Sequence, residues 1–323
     1  MRENRYFIPD QAPDTGLKGL AKQAAYALRA AYFKVVMNRI RTGRPSKQYN
    51  VSVCTIFKDE APYLREWLEF NHLAGVEHFY MYNNNSGDDF RAALEPYIAR
   101  GWVTLVEWPH NQKQMECYLD AMERFREETR WLGFIDLDEF IVPKAADNLY
   151  DFLAPFEKNR GSVKIYWRIF GSSGRMDRDL SSLVCEDFTV CWPKYDDIGK
   201  CFWNTAFDFP ANPERKKQLH HHLWTEWKGR ELPPVNCFDQ VCIGSRNKAF
   251  CEDFPIQINH YFTKSWKEYA MKKAKGDVYF KVNPHDEAYF FEHEMKCTGT
   301  DYSAYRYLIK LKQALAGDME GKA

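Results

Sequence analysis

Val51-Ser52-Val53-Cys54-Thr55-Ile56-Phe57 breaks off at Lys58-Asp59-Glu60-Ala61-Pro62. The first run is mostly β-branched or apolar and predicts a buried strand, and the polar break with a proline behind it predicts a helix start. Leu64, Trp67, Leu68 and Leu73 then recur at helical spacing as far as Gly75. Outward from this unit the alternation repeats. Residues 76–82 predict a second strand and 83–88 a polar turn, followed by a helix over 88–99, a strand over 102–108, a helix over 111–129 and a fourth strand over 131–135. Strand and helix alternating at this spacing imply an α/β fold: a doubly wound, mostly parallel sheet flanked by helices. Such sheets take their ligands beyond the carboxyl ends of the strands.

The sharpest polar segment at such an end is Phe134-Ile135-Asp136-Leu137-Asp138-Glu139-Phe140. Alternation turns Asp136 and Asp138 the same way, and three carboxylates within four residues repel one another unless a cation joins them. Hard divalent metals favour such oxygen donors, so Mn²⁺, with Mg²⁺ as the alternative, is the expected cofactor. A solvated acidic turn capping the next element is the plainer reading of the same residues.

The 323 residues hold 45 basic and 45 acidic side chains, which leaves no electrostatic ground for a nucleic-acid partner. Aromatic residues make up 16%, a weak pointer to a carbohydrate or nucleotide ligand. Nine cysteines without a Cys-x-x-Cys pair, and a polar, charged beginning, point to reduced thiols and a cytoplasmic setting. A zinc site among Cys237, Cys242, Cys251 and His220–His222 fits no regular ligand spacing.

Charge is nonetheless uneven. Residues 1–50 carry ten basic and three acidic groups, and 15–48 carry no acid at all. Leu17, Leu20, Ala24, Leu28, Ala31 and Val35 form one helical stripe flanked by Lys18, Lys22, Arg29, Lys34 and Arg41. That pattern suits a helix lying on the cytoplasmic face of an anionic membrane, or one packed on the following domain. Gly43, Pro45 and Ser46 punctuate the chain, so residues 1–48 are expected to form a basic helical extension, 49–285 the main domain and 286–323 a helical tail.

Several motifs in order carry a family resemblance. Cys54-Thr55-Ile56-Phe57-Lys58-Asp59-Glu60, Tyr63-Leu64-x-Glu66-Trp67-Leu68-Glu69-Phe70, Gly75-Val76-x-His78-Phe79-Tyr80, Trp108-Pro109, Gln114 with Tyr118, the Asp-Leu-Asp-Glu motif, Trp167-Arg168-Ile169-Phe170-Gly171-Ser172-Ser173-Gly174 and His260-Tyr261 with Lys264-Ser265 resemble glycosyltransferase family 92 over roughly residues 50–280. The turn after the second strand departs from the family's Asp-Asn-x-Ser and begins with Asn83.

The resemblance implies a GT-A-type, metal-dependent, inverting glycosyltransferase. Its donor would be a nucleotide sugar, a UDP-hexose such as UDP-galactose, and its acceptor a glycan or lipid-linked glycan. Asp136, Asp138 and a distant His260 are then the expected metal ligands. Asp59, Glu60, Asn83, Asn85, Gln114, Asp136 and Lys264 would face the nucleotide sugar, and Trp167, Gly171, Ser172 and Ser173 the acceptor. For the base that takes the acceptor's proton, the downstream acids Glu186, Asp187, Glu252 and Asp253 qualify, with Asp253 preferred and Asp187 next. His220–His222 are expected to be solvated. A nucleotidyltransferase and a non-catalytic sugar- or nucleotide-binding protein are the rival readings.

Overall fold

The computed structural model describes residues 6–7, 16–43, 45–247, 253–274 and 286–320. Its centre is a sheet built from β1 (Tyr49–Phe57), β2 (His78–Asn83), β3 (Val103–Glu107), β4 (Thr129–Phe134), β5 (Glu139–Pro143), β6 (Ser162–Ile169), β7 (Gly199–Asn204), β8 (Val235–Asn236) and β9 (Ile256–His260). The spatial order is β3-β2-β1-β4-β7-β6-β9-β5, with β8 beside β6. The first four are mutually parallel, as the alternation predicts. Beyond β4 the sheet is mixed: β7 runs antiparallel to both β4 and β6, β9 parallel to β6, and β5 antiparallel to β9.

Helix α1 (Leu17–Asn38) precedes the sheet. Helices α2 (Ala61–Leu73), α3 (Phe90–Ala99) and α4 (Gln114–Phe125) make the crossovers. Helices α5 (Leu149–Leu153), α6 (Trp266–Ala274), α7 (Glu287–Met295) and α8 (Tyr305–Glu320) follow. In α2, Leu64, Trp67, Leu68 and Phe70 are fully buried, each contributing roughly 1.5–3 kcal/mol by leaving water. Gly75, at φ 106°, ends that helix in a conformation other residues resist. The C-terminal α8 packs into the same core: Tyr307, Leu308 and Leu311 are buried, and Tyr307 meets Phe70 edge-on at 5.2 Å.

The polar atoms of α2 do something further. The buried Trp67 indole N–H donates to the carbonyls of Asp136 (3.0 Å) and Glu139 (2.9 Å), and Asn71 Oδ1 accepts from the Ile141 N–H at 3.0 Å. A core helix therefore holds the acidic turn in shape. All eight described cysteines are unbridged.

Candidate active site

Mixed strand direction brings distant residues to one edge. The carboxyl ends of β1, β4, β6 and β9 lie there, and so do the amino ends of the reversed strands β5 and β7. Asp136 and Asp138 follow β4, Glu139 opens β5, Lys200 sits second in β7, Trp167 stands near the end of β6 and His260 closes β9. Together they surround a cleft of about 880 Å³.

Within it, one oxygen each from Asp138 and Glu139 and one ring nitrogen of His260 lie within 4.8 Å of one another, the one such group among the described residues. Asp138 Oδ2 pairs with Lys272 of α6 at 2.5 Å, and Asp138 Oδ1 is 3.5 Å from His260 Nε2. Burial opposes ionisation of Asp138, yet Lys272 and His260 overcome it and hold the carboxyl well below the usual carboxylate range. Burial pushes Glu139 well up, with Lys200 opposing. Asp136, expected among the metal ligands, points elsewhere: it accepts from Lys200 (2.7 Å), the Tyr118 hydroxyl (3.3 Å) and Gln114 (3.4 Å). Lys200 is wholly buried, and although burial disfavours its charge, Asp136 and Glu139 keep its pKa above the ordinary lysine value.

Lys58, Arg246, Lys264, Lys272 and Lys273 ring the cleft with positive charge. Lys264 is held in a left-handed backbone conformation (φ 51°) with its ammonium 4.3 Å from the centre of the Tyr63 ring. Burial lowers its pKa, against the pull of Glu60 and Asp138. Trp167 lines the cleft, 4.5 Å from the His260 ring, and its buried indole N–H has no hydrogen-bond partner among the described residues. Glu60 and Gln114 also line it.

The remaining expected residues are engaged elsewhere. Asp59 Oδ1 accepts from the Gly87 N–H at 2.6 Å, Asn83 bridges Glu107 (2.6 Å) and the Ser86 N–H (2.9 Å), and Asn85 sits in the turn at φ 57°. Asp59 ties the β1 loop to the β2 loop and Asn83 ties the β2 loop to β3, while their neighbours Lys58 and Asn84 face the cleft. Ser172 is bound through its hydroxyl (2.6 Å) and N–H (2.8 Å) to Glu294. Ser173 accepts from the Thr189 and Val190 N–H groups, and the Gly171 N–H donates to Val190. That loop packs on α7 rather than lining the cavity.

Neither expected base reaches the cleft. Asp187 is clamped by Arg175 (2.8 Å) and Arg178 (3.5 Å), Glu186 pairs with Lys312 (2.7 Å), and Asp253 is exposed and outside the cavity wall. Glu252 and Cys251 lie outside the described residues. His220–His222, expected to be solvated, are instead drawn inward, His220 fully so. Burial, with His221 and Lys200 nearby, pushes His220 well below the usual histidine range, and His222 falls to about 4.

The sequence reading missed Asp196 on the cleft wall, whose carboxyl is pushed up to about 6 by burial and by Asp197, against the Ile198 N–H. Asp196 gave no signal inside a polar stretch. Lys200 did give one, as a lone charge at the head of the apolar strand Gly-Lys-Cys-Phe-Trp-Asn.

Residues 47–205 match the family model described as Glycosyltransferase family 92. This segment belongs to glycosyltransferase family 92. A family 92 protein of Oryza sativa subsp. japonica is 33% identical over 132 residues, 40% of this chain and 23% of that protein. One from Arabidopsis thaliana is 34% identical over 94 residues, 29% of this chain and 16% of its own length. The chain thus matches less than a quarter of the length of these curated relatives. Among solved structures, S. aureus TarS 1-349 aligns at 15% identity over 57% of this chain and 59% of that one, with a TM-score of 0.34, too distant to bear on chemistry. The family 92 segment contains the acidic turn and Lys200; His260, Lys264 and Lys272 lie beyond its matched end.

Proposed function

We propose that this chain is a metal-dependent, inverting glycosyltransferase that moves a sugar from a nucleoside-diphosphate donor to a hydroxyl of a glycan or lipid-linked glycan. The observation that carries the reading is the Asp138–Glu139–His260 group set against a ring of lysines in one cleft of a family 92 fold. Acids alone would repel a diphosphate, and lysines alone would not need the acids. A divalent ion between them satisfies both.

The residues fit such an ion. Asp138 Oδ1 and Glu139 Oε1 are buried and, among the described residues, have no polar neighbour nearer than His260 and Lys200 at 3.5 Å, and two oxygens with one imidazole nitrogen form a donor set that suits Mn²⁺. When bound, the ion neutralises charge that grows on the leaving diphosphate. The chain's own residues do the rest. Lys264 and Lys272 line the cleft and would offset the charge that the departing diphosphate takes with the electron pair of the broken glycosidic bond. Asp196 is the wall carboxylate whose raised pKa suits it to take the acceptor's hydroxyl proton as that oxygen attacks the anomeric carbon from the opposite face. Trp167, Phe262, Tyr269 and Tyr289 line the same cavity and offer flat apolar faces to pyranose C–H groups.

UDP-, GDP- and dTDP-sugars are to be screened with Mn²⁺ for saturable binding and slow hydrolysis. One of them is expected to bind and to release a nucleoside diphosphate. Release of pyrophosphate would mean a nucleotidyltransferase, and binding without release a sugar- or nucleotide-binding protein.

A further inference from the structure

Helix α1 has two apolar faces, and the domain covers one. Phe33 and Met37 are buried, Phe33 meets Trp224 edge-on at 5.8 Å, Lys34 pairs with Asp239, and the Tyr26 hydroxyl accepts from the Asn247 side chain (2.9 Å) and the Ile243 N–H (3.1 Å). The stripe on the far side stays in water: Leu17, Leu20, Leu28 and Val35 are 87, 62, 74 and 52% exposed. At 1.5 Å rise per residue this stripe is about 27 Å long. Packing on the body therefore uses a different face from the one that makes the helix amphipathic.

A second feature adjoins it. Where α1 ends, a cavity of about 450 Å³ is lined by Arg39, Arg41, Lys228 and Arg230 with Val36, Ile40, Trp227 and Leu232, and by no acid among the described residues. Lys228 and Arg230 come from the exposed tip of the hairpin formed by Thr225–Trp227 and Arg230–Leu232. Exposed Lys18, Lys22 and Arg29 continue this basic flank along the helix.

We infer that α1 and the 228–230 hairpin tip form a docking surface for an anionic lipid bilayer, the leucine stripe lying among the acyl chains and the arginine-lined cavity taking a lipid phosphate. Charge selects this occupant. A second copy of the chain would oppose one acid-free basic face to another, whereas anionic headgroups complement it. No described helix is long and apolar enough to cross a membrane, so the contact is with the surface. Ile243 and Asn247, which seat Tyr26, flank the cleft residues Ser245 and Arg246, so the surface that holds α1 also presents one wall of the cleft.

The test is co-sedimentation of the full chain with vesicles of phosphatidylcholine alone or mixed with phosphatidylglycerol. Binding is expected to the anionic vesicles and to weaken with salt. The triple variant Leu17→Glu, Leu20→Glu, Leu28→Glu should lose on the order of 10-fold or more in partitioning. Lys228→Ser with Arg230→Ser should lose less, and addition of inorganic phosphate should not release the wild type. Equal binding to neutral vesicles, no binding to anionic ones, or an unaffected triple variant would overturn the inference. So would concentration-dependent dimerisation of the wild type that the triple variant abolishes, which would assign the stripe to a second copy. Donor binding in the absence of vesicles reads the cleft separately and should be the same in all these proteins.

Discussion

Most of the acids and most of the lysines of the cleft come from different stretches of the chain, Lys58 and Asp196 being the exceptions. From the parallel half and the turn after it come Glu60, Asp136 and Asp138, and β5 adds Glu139 at its first residue. From the reversed strand β7 comes Lys200, and from the segment after β9 come Lys264 and Lys272, with His260 closing β9 itself. The first set lies within the family 92 match, and most of the second lies beyond it. Neither set is stable alone. Buried carboxylates need cations, and a wholly buried lysine needs acids. The site is therefore a contact between two halves rather than a property of either, which explains why a motif in one half shows only part of it.

Removing the shared charge should have the largest effect. Asp138→Asn keeps the shape but frees Lys272 and His260 of their common partner, and metal-dependent turnover of the identified donor is expected to fall by on the order of 10²–10³. Steady-state hydrolysis across a Mn²⁺ series measures this; undiminished turnover would mean that the acidic turn is only structural.

Lys200→Met tests the pairing as a matter of stability. It leaves Asp136 and the buried Glu139 without their shared counter-ion, and unfolding in urea at pH 7 should show a loss of about 3–5 kcal/mol. Adding Glu139→Gln should recover part of that loss, the rest belonging to Asp136. If the double variant is no better than the single, the two halves are not coupled through this pair.

The smallest effect is expected at the edge of the ion site. His260→Ala should weaken Mn²⁺ affinity in the presence of the nucleoside diphosphate by roughly 10-fold and move the preference toward Mg²⁺, which favours oxygen donors. Calorimetric titration of each metal reads both quantities. Unchanged affinity and preference would make His260 a structural partner of Asp138.

The parallel half was legible because its information is local. Each strand from β1 to β4 is an apolar run bounded by polar residues, and Asp138 falls at a strand end where such sheets bind ligands. Some finer assignments near it failed by small displacements: Asn84 faces the cleft where Asn83 was expected, and Lys58 faces it beside the expected Glu60 while Asp59 holds the Gly87 loop. Loop geometry decides which of three adjacent polar side chains turns outward, and no periodicity governs a loop. Nothing in residue order set Asp196 apart from the expected Asp187 and Asp253, since three acids in polar stretches differ only in what folds against them.

Helix α1 shows the same division. Its stripe of leucines and its acid-free basic flank are fixed by residue order and helical period, and both are present as read. Which face the domain would take was open, because Tyr26, Phe33 and Met37 make a second apolar face opposite the first, and only contact with Trp224 and the 243–247 segment selects it. Residue order alone determined the alternating elements, the acidic turn and the amphipathic helix, since each depends on neighbours a few positions apart. The tertiary structure decided that β7 reverses, that Lys200 therefore lands beneath Asp136 and Glu139, and that Lys272 reaches Asp138 from 134 residues away. Those pairings join residues far apart in the chain, and burial of opposite charges against one another exists only once the two halves have packed.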